Sequence, residues 1–184
     1  MSNSERKKLS NSEFLNTYLS SSEEELQADK KSRYQVLPHE SHALAKEYDN
    51  LLAKRGGENR RVRLDRISSF IGASIVDYPE SDETRVTIGS RVRITEDGDE
   101  PFTLDIVGVP EIYPVGLIDI STGDEIQGMH MWSLLARTII GHKVGEKGLV
   151  LGAGEGAYKV TIESLDQDSV QSYFTSNPLS FTLE

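Results

Sequence analysis

The most concentrated chemistry in this sequence is a basic run over residues 54–66. It holds six basic and two acidic side chains, for a local charge of +4, and it contains two adjacent glycines at 56 and 57. Such a run suits contact with an anionic surface: RNA, DNA, nucleotide phosphates or an acidic protein groove. The alternative is a solvated helix surface whose arginines pair with nearby carboxylates. The candidate binding residues are Arg55, Glu58, Arg60, Arg61 and Arg63.

Metal and nucleophile chemistry finds little support in the chain. His39 and His42 stand three residues apart with Glu40 between them, a spacing that can hold a metal on one helix face. No third ligand is evident, so we expect two surface residues at the start of a helix. The sequence has no cysteine and no Ser-His-Asp order, phosphate loop or dinucleotide fingerprint. We therefore predict no catalytic residue, no metal and no cofactor.

The single tryptophan offers a second candidate position. Trp132 follows Met129 and Met131. One interpretation is a packed core position. The other is an anchor for a partner protein, since Trp and Met are enriched at interfaces. Both stay open at this point.

Composition sets the broad class. The 184 residues allow one ordinary domain, or a small domain with a tail. Hydrophobic residues make up 36 %, below the usual ~45–50 %, so part of the chain should lie outside a core. No stretch approaches the ~18–20 apolar residues of a membrane span, and no secretory signal is evident. We expect a cytoplasmic, monomeric protein that does not bind membranes.

The elements that must position the basic run form a predicted helical hairpin over residues 34–76. Pro38 suits a first helical turn, and an apolar stripe then recurs at Leu44, Tyr48 and Leu51. The glycines at 56 and 57 end this helix, and a second helical pattern runs to about Gly72. Residues 1–33 are predicted to form a flexible arm, in which a short helix between Ser12 and about Leu26 is possible.

From Ala73 onward, short β-branched runs alternate with turn clusters and one helical segment. Ser133 is placed to cap that helix, and Gly141 to end it. This pattern predicts an α+β domain over residues 77–166 and a tail over 167–184. Residues 77–128 carry thirteen acidic and three basic side chains, a local charge of −10. The cationic hairpin tip thus precedes an anionic domain.

The segment Ser133-Leu-Leu-Ala-Arg-Thr-Ile-Ile-Gly-His-Lys-Val-Gly-Glu resembles the C-terminal signature of bacterial Gre transcript-cleavage factors. That signature reads roughly Ser-Pro-Leu-Ala-Arg-Ala-Leu-Ile-Gly-Lys-x-Val-Gly-Asp. The preceding run from Ile88 and the glycine turn from Gly154 also resemble the family, and the likeness covers about residues 37–166. The helical half is the weaker match.

The resemblance implies a domain similar to FK506-binding proteins, with a curved antiparallel sheet and one short helix. It also implies RNA polymerase as the partner, with this domain at the mouth of the secondary channel. Trp132, Ser133 and Arg137 would then belong to the polymerase-binding surface, together with the hairpin tip. RNA or nucleotide phosphates are possible further contacts of the tip.

Two departures argue against transcript cleavage. The family tip carries two acids that hold magnesium, whereas this tip offers only Glu58 between arginines, which would repel the ion. Helices of about 17 and 13 residues span only ~20–25 Å, about half the family's arm. The expected function is therefore a non-enzymatic regulator. A cleavage factor, a peptidyl-prolyl isomerase and an unrelated protein-binding module that uses the acidic face are the alternatives.

Overall fold

The structure is a computed structural model that describes residues 7–21, 35–53, 58–71, 73–152 and 156–177. The chain divides into two compact units. The first takes in residues 1–77 and 174–184, and the second takes in residues 78–173. Helices and strands are mixed in the chain, as the predicted α+β class requires.

The first unit combines three helices with three very short strands. Its elements are β1 (Lys8–Leu9), α1 (Asn11–Ser20), β2 (Gln35–Val36), α2 (Pro38–Ala53), α3 (Glu58–Ile71) and β3 (Ser74–Val76). The strands pair in parallel in the order β1-β3-β2. Strands of two or three residues carry no periodicity, so hydrophobic patterning does not predict this small sheet.

The segment predicted as a flexible arm, with a possible short helix from Ser12, contains helix α1 within its described residues 7–21. Ser10 caps α1, because its Oγ accepts the Glu13 amide at 3.2 Å while Glu13 Oε2 accepts the Ser10 amide at 2.8 Å. This reciprocal pair satisfies two donors at the helix start. Phe14 and Leu15 are fully buried. A serine-rich composition suggested disorder, but a cap and two core side chains are enough to order this part.

Helices α2 and α3 lie close to the predicted boundaries. Arg63 on α3 contacts Glu47 on α2, and Arg60 contacts Leu51, so the two helices run in opposite directions. Leu44, Leu51 and Ile67 are buried between or beneath them. The apolar stripe read from the sequence therefore faces the interior of this unit.

The second unit is built on a six-stranded sheet in the order β6-β7-β5-β4-β9-β8. Its elements are β4 (Arg91–Glu96), β5 (Phe102–Val107), a 3-10 turn (Pro110–Ile112), β6 (Leu117–Ile118), β7 (Glu125–His130), α4 (Leu134–Ile139), β8 (Lys147–Gly152) and β9 (Gly156–Asp166). Helix α5 (Ser169–Ser176) crosses the boundary, because its residues from Phe174 onward belong to the first unit. Ahead of β4, Arg85 forms an isolated antiparallel bridge with Lys143.

The resemblance implied an antiparallel sheet. In the structure, however, β5 and β7 pair in parallel. The chain between these two strands passes through the 3-10 turn and β6. This excursion supplies the crossover that a parallel pair needs. The other pairings of the sheet are antiparallel.

Helix α4 follows its prediction closely. Ser133 Oγ accepts the Ala136 amide at 3.1 Å, and Gly141 just beyond the helix has a φ of 88°, where a side chain would be strained. Leu135, Ala136 and Ile139 on α4 are buried. They belong to the core of the unit together with inward residues of the sheet, among them Val92, Ile94, Leu104, Ile106, Val150, Val160 and Ile162.

Residues 169–176 form a helix where the sequence predicted a tail. The Asp166 carboxylate accepts the amides of Asp168 and Ser169, at 2.9 and 3.0 Å, and so caps α5. Val170 and Phe174 are buried. An aspartate placed just before a helix satisfies free N-terminal amides, a local signal that the sparse apolar residues concealed.

Candidate functional site

Two of the predicted tip arginines, both on α3, form contacts with the neighbouring helix α2. Arg60 Nε donates to the Leu51 carbonyl at 2.6 Å. Arg63 Nη2 lies 2.8 Å from Glu47 Oε1, and the Glu47 side chain is only 9 % exposed. A cation held against a buried carboxylate of the neighbouring helix satisfies that charge. These two side chains therefore serve the pairing of α2 with α3.

Arg61 is the predicted arginine that the structure leaves exposed. The neighbouring Val62 is 64 % exposed, so this side of α3 presents a charge beside an apolar side chain. Glu58 is the first residue of α3, and its side chain is outside the described part. Arg55 lies outside the described residues. Of the predicted tip residues whose side chains the structure describes, Arg60 and Arg63 contact α2, and Arg61 is exposed.

The predicted residues around the start of α4 do different work. Ser133 is the helix cap described above, which is a folding role. Trp132 is half-buried, and its backbone amide donates to His130 Nδ1 at 3.3 Å. Met131 is fully buried. Trp132 is thus neither a fully buried core residue nor a fully exposed one. Arg137 is also half-buried.

The two histidines considered for metal binding are not equivalent. The His39 ring stacks on Phe174, with centroids 3.8 Å apart and planes within 8°. Burial lowers the pKa of His39 to about 3. His42 is exposed. Within the residues that the structure describes, no group of three potential ligands converges on a metal position. His39 is a packed aromatic residue, not the surface residue expected from its place at a helix start.

A buried polar cluster in the second unit escaped the sequence analysis. Arg91 on β4 and Asp105 on β5 form two hydrogen bonds, Nε to Oδ1 at 2.8 Å and Nη2 to Oδ2 at 3.0 Å. The Tyr113 hydroxyl donates to Asp105 Oδ2. The Tyr113 ring covers Gly128, where an added Cβ would lie 2.5 Å from the ring. An aspartate inside the apolar run Phe102–Val107 was the available signal.

Burial dominates the electrostatics of this cluster. Burial raises the pKa of Asp105, against the opposing effect of Arg91 and Tyr113. Burial and the charge of Asp105 raise the pKa of Tyr113 well above its usual range. The pKa of Arg91 is raised, because the hydrogen bond and charge of Asp105 outweigh its own burial. The three hydrogen bonds join β4, β5 and the segment after β5 through one carboxylate.

No helix in the described ranges is both long and apolar enough to cross a membrane. Among the predicted binding residues, Arg61 is exposed, and Trp132 and Arg137 are partly exposed.

No protein-family model and no curated protein match the chain. Solved structures similar to it include a GreA/GreB transcription elongation factor from Nitrosomonas europaea, at 21 % identity and a TM-score of 0.33 over 72 % of this chain and 98 % of that one. Gfh1 from Thermus aquaticus is 14 % identical, with a TM-score of 0.33 over 88 % and 98 %. The Gfh1 protein of Thermus thermophilus is 16 % identical, with a TM-score of 0.30 over 87 % and 98 %. These TM-scores are too low for the likeness to carry a conclusion.

Proposed function

We propose that this chain is a Gre-like regulator that binds bacterial RNA polymerase at its secondary channel and does not stimulate transcript cleavage. The observation that carries the proposal is the segment Ser133–Glu146, which resembles the Gre signature at most of its positions. Its distinctive residues act together as a folding motif. Ser133 caps α4, and Gly141 and Gly145 adopt φ values of 88° and 84°.

The order of elements supports the same proposal. Antiparallel helices α2 and α3 precede the sheet, as the resemblance implies for a channel-entering arm before a docking domain. The docking domain in this proposal has the FK506-binding-like arrangement of the family. The packing of one short helix against one face of the sheet supports that arrangement, while the parallel pairing of β5 and β7 departs from it.

The absence of cleavage is proposed from length and charge. Helices of 16 and 14 residues span about 24 and 21 Å at 1.5 Å per residue, roughly half of the arm that the resemblance implies. Arg61 is an exposed cation near this end, and Glu58 is the single acid in the tip run from Lys54 to Arg63. Magnesium is held by carboxylates and phosphate oxygens, so a tip dominated by arginines disfavours the ion. The protein would occupy the channel entrance without chemistry.

Binding to core RNA polymerase tests the first half of the proposal. We expect the wild-type chain to bind in a biosensor assay at low micromolar concentration. We expect R61E and a W132A/R137E variant each to weaken binding about tenfold or more, as loss of interface anchors does. K46E is the matched control, because Lys46 is an exposed cation on α2. No binding of the wild type at about 10 µM, or equal loss in K46E, would remove the proposal.

A transcript-cleavage assay on a backtracked complex tests the second half. We expect no cleavage above the polymerase's own rate, and no change with E58Q. Cleavage by the wild type that E58Q abolishes would convert the assignment to an elongation factor of the cleaving kind. Competition with a cleaving Gre factor for the same polymerase is the expected positive signal.

A further inference from the structure

We propose that the outer edge of β8 binds an extended acidic peptide segment of a partner protein by strand addition. The residues of this edge are not among those proposed above to bind RNA polymerase, so the proposal goes beyond that function. It rests on the backbone, the side chains and the charges of one edge of the sheet.

The backbone of β8 is half unpaired. β8 is the last strand of the sheet, and its inner side pairs with β9. The Ile162 amide donates to the Glu146 carbonyl at 3.2 Å, and hydrogen bonds alternate along an antiparallel pair. The backbone N–H and C=O groups of Gly148 and Val150 therefore face β9. The backbone groups of Lys147, Leu149 and Leu151 point outward, away from β9. Across the described ranges, no strand pairs with that outer side.

The side chains of these outward residues form an exposed apolar strip. Leu149 and Leu151 are 55 % and 65 % exposed, whereas Val150 between them is fully buried. The register places Lys159 of β9 beside Leu149, and Ala157 beside Leu151. Exposed leucines on a free strand edge are an interaction or aggregation hazard that proteins usually avoid. Here each exposed leucine lies beside a residue of β9 in the register, so the strip extends over both strands.

The strand is held rigidly from its inner face. A Cβ at Gly148 would lie 2.5 Å from Thr138 Cγ2, so α4 packs directly on the backbone of β8. The strand carries this glycine because no side chain fits there. A preformed edge needs little ordering when a peptide binds, which lowers the entropic cost of association.

The lysines beside the exposed leucines favour an acidic peptide as the partner. Lys147 and Lys159 are exposed, and neither forms an ion pair within the described part of the chain. Glu146 Oε2 accepts the Lys143 amide at 2.9 Å, and Glu163 Oε1 accepts the Thr95 hydroxyl at 2.6 Å. In the register of β8 with β9, the charged residues nearest Leu149 are therefore both lysines, Lys147 two positions away on β8 and Lys159 opposite on β9. An added strand with apolar residues against the leucines and acids toward the lysines is complementary.

The probe is a labelled peptide, acetyl-Val-Thr-Leu-Thr-Glu-Thr-Glu-amide, added to the full chain. In antiparallel register its Val and Leu lie opposite Leu151 and Leu149, and its first Glu lies opposite Lys147. We expect saturable binding by fluorescence anisotropy, with amide shifts and slowed hydrogen exchange at Leu149 and Leu151. We expect K147E and K159E each to weaken binding several-fold at low salt, while K46E leaves it unchanged.

Three results would overturn the proposal. The first is no binding at peptide concentrations up to about 1 mM. The second is equal binding by a peptide N-methylated at its Leu and first Glu, which lacks the donors that strand addition needs. The third is a concentration-dependent dimer of the protein alone that L149E dissolves, because the edge would then be covered by a second copy. Loss of polymerase binding would leave this result unaffected, so the two proposals fail separately.

Discussion

Arg91 and Asp105 lie directly opposite each other on β4 and β5 and form a two-point ion pair inside the second unit. The Asp105 side chain is fully buried, and that of Arg91 is 12 % exposed. The Tyr113 hydroxyl donates a hydrogen bond to the same carboxylate. The pair therefore ties the segment after β5 to two neighbouring strands. The whole cluster is satisfied internally, which a buried charge requires.

Removal of one partner should be far more costly than removal of both. We expect D105A to lower the free energy of unfolding by about 3–5 kcal/mol, because Arg91 would keep a buried, unpaired charge. The R91M/D105L double variant should recover most of that loss, since apolar replacements leave no charge to solvate. Urea unfolding, monitored by circular dichroism, measures the free energy of unfolding of both variants. A double variant no more stable than D105A would contradict this account.

The Arg93–Asp124 pair is the matched control. It joins the same strand β4 to another acid, but its side chains are 32 % and 22 % exposed. We expect R93M to change the free energy of unfolding by about 0–1 kcal/mol, as exposed pairs do. The contrast between the two arginines isolates burial as the cause.

The sequence predicted what depends on neighbouring residues and missed what depends on distant ones. The cap at Ser133, the glycine at 141 and the stripe of α2 are local patterns, and each occurs where expected. Asp105 lies fourteen positions from Arg91, and nothing nearby in the chain signals that partner. Glu47 is likewise buried because Arg63, sixteen positions away, satisfies it. The arginine that satisfies each acid comes close to it only when the elements pack together.

The contact between Gly148 and Thr138 predicts a suppressible defect. A methyl group at 148 would overlap Thr138 Cγ2 at 2.5 Å, so G148A should destabilise the protein by about 1–3 kcal/mol through overpacking. T138S removes that methyl group at small cost. We expect the G148A/T138S variant to be more stable than G148A alone, by thermal unfolding. Additive losses would mean that the strand and helix do not touch there.

The contact between Glu47 and Arg63 predicts energetic coupling of α2 with α3. A double-mutant cycle of E47A and R63A should give a coupling energy of about 1 kcal/mol or more, because the carboxylate is nearly buried. R61A should leave stability within about 0.5 kcal/mol, since Arg61 is exposed. Chemical denaturation of the four variants gives the cycle. Zero coupling would mean that the arginine serves a partner and not the helix pair.

The stack of His39 on Phe174 makes stability sensitive to mild acid. Burial holds the pKa of His39 at about 3, below its ordinary value of 6.5. The folded protein therefore keeps this ring neutral where the unfolded chain protonates it. We expect the contribution of this histidine to stability to be fully present above about pH 6.5 and to fall as the pH drops toward 3, by up to about 1.4 kcal/mol per pH unit. The loss runs in this direction because the unfolded state binds the extra proton.

The range from pH 7 to 5 isolates this effect, because most carboxylates are still ionised there. Wild-type protein should lose stability across this range, whereas H39F, which retains an aromatic ring on Phe174, should lose much less. H42Q is the control, because it removes an exposed histidine from the same helix. Urea midpoints at each pH provide the measurement. Equal slopes for wild type and H39F would show that the ring protonates in the folded state, and that the stack does not exclude water.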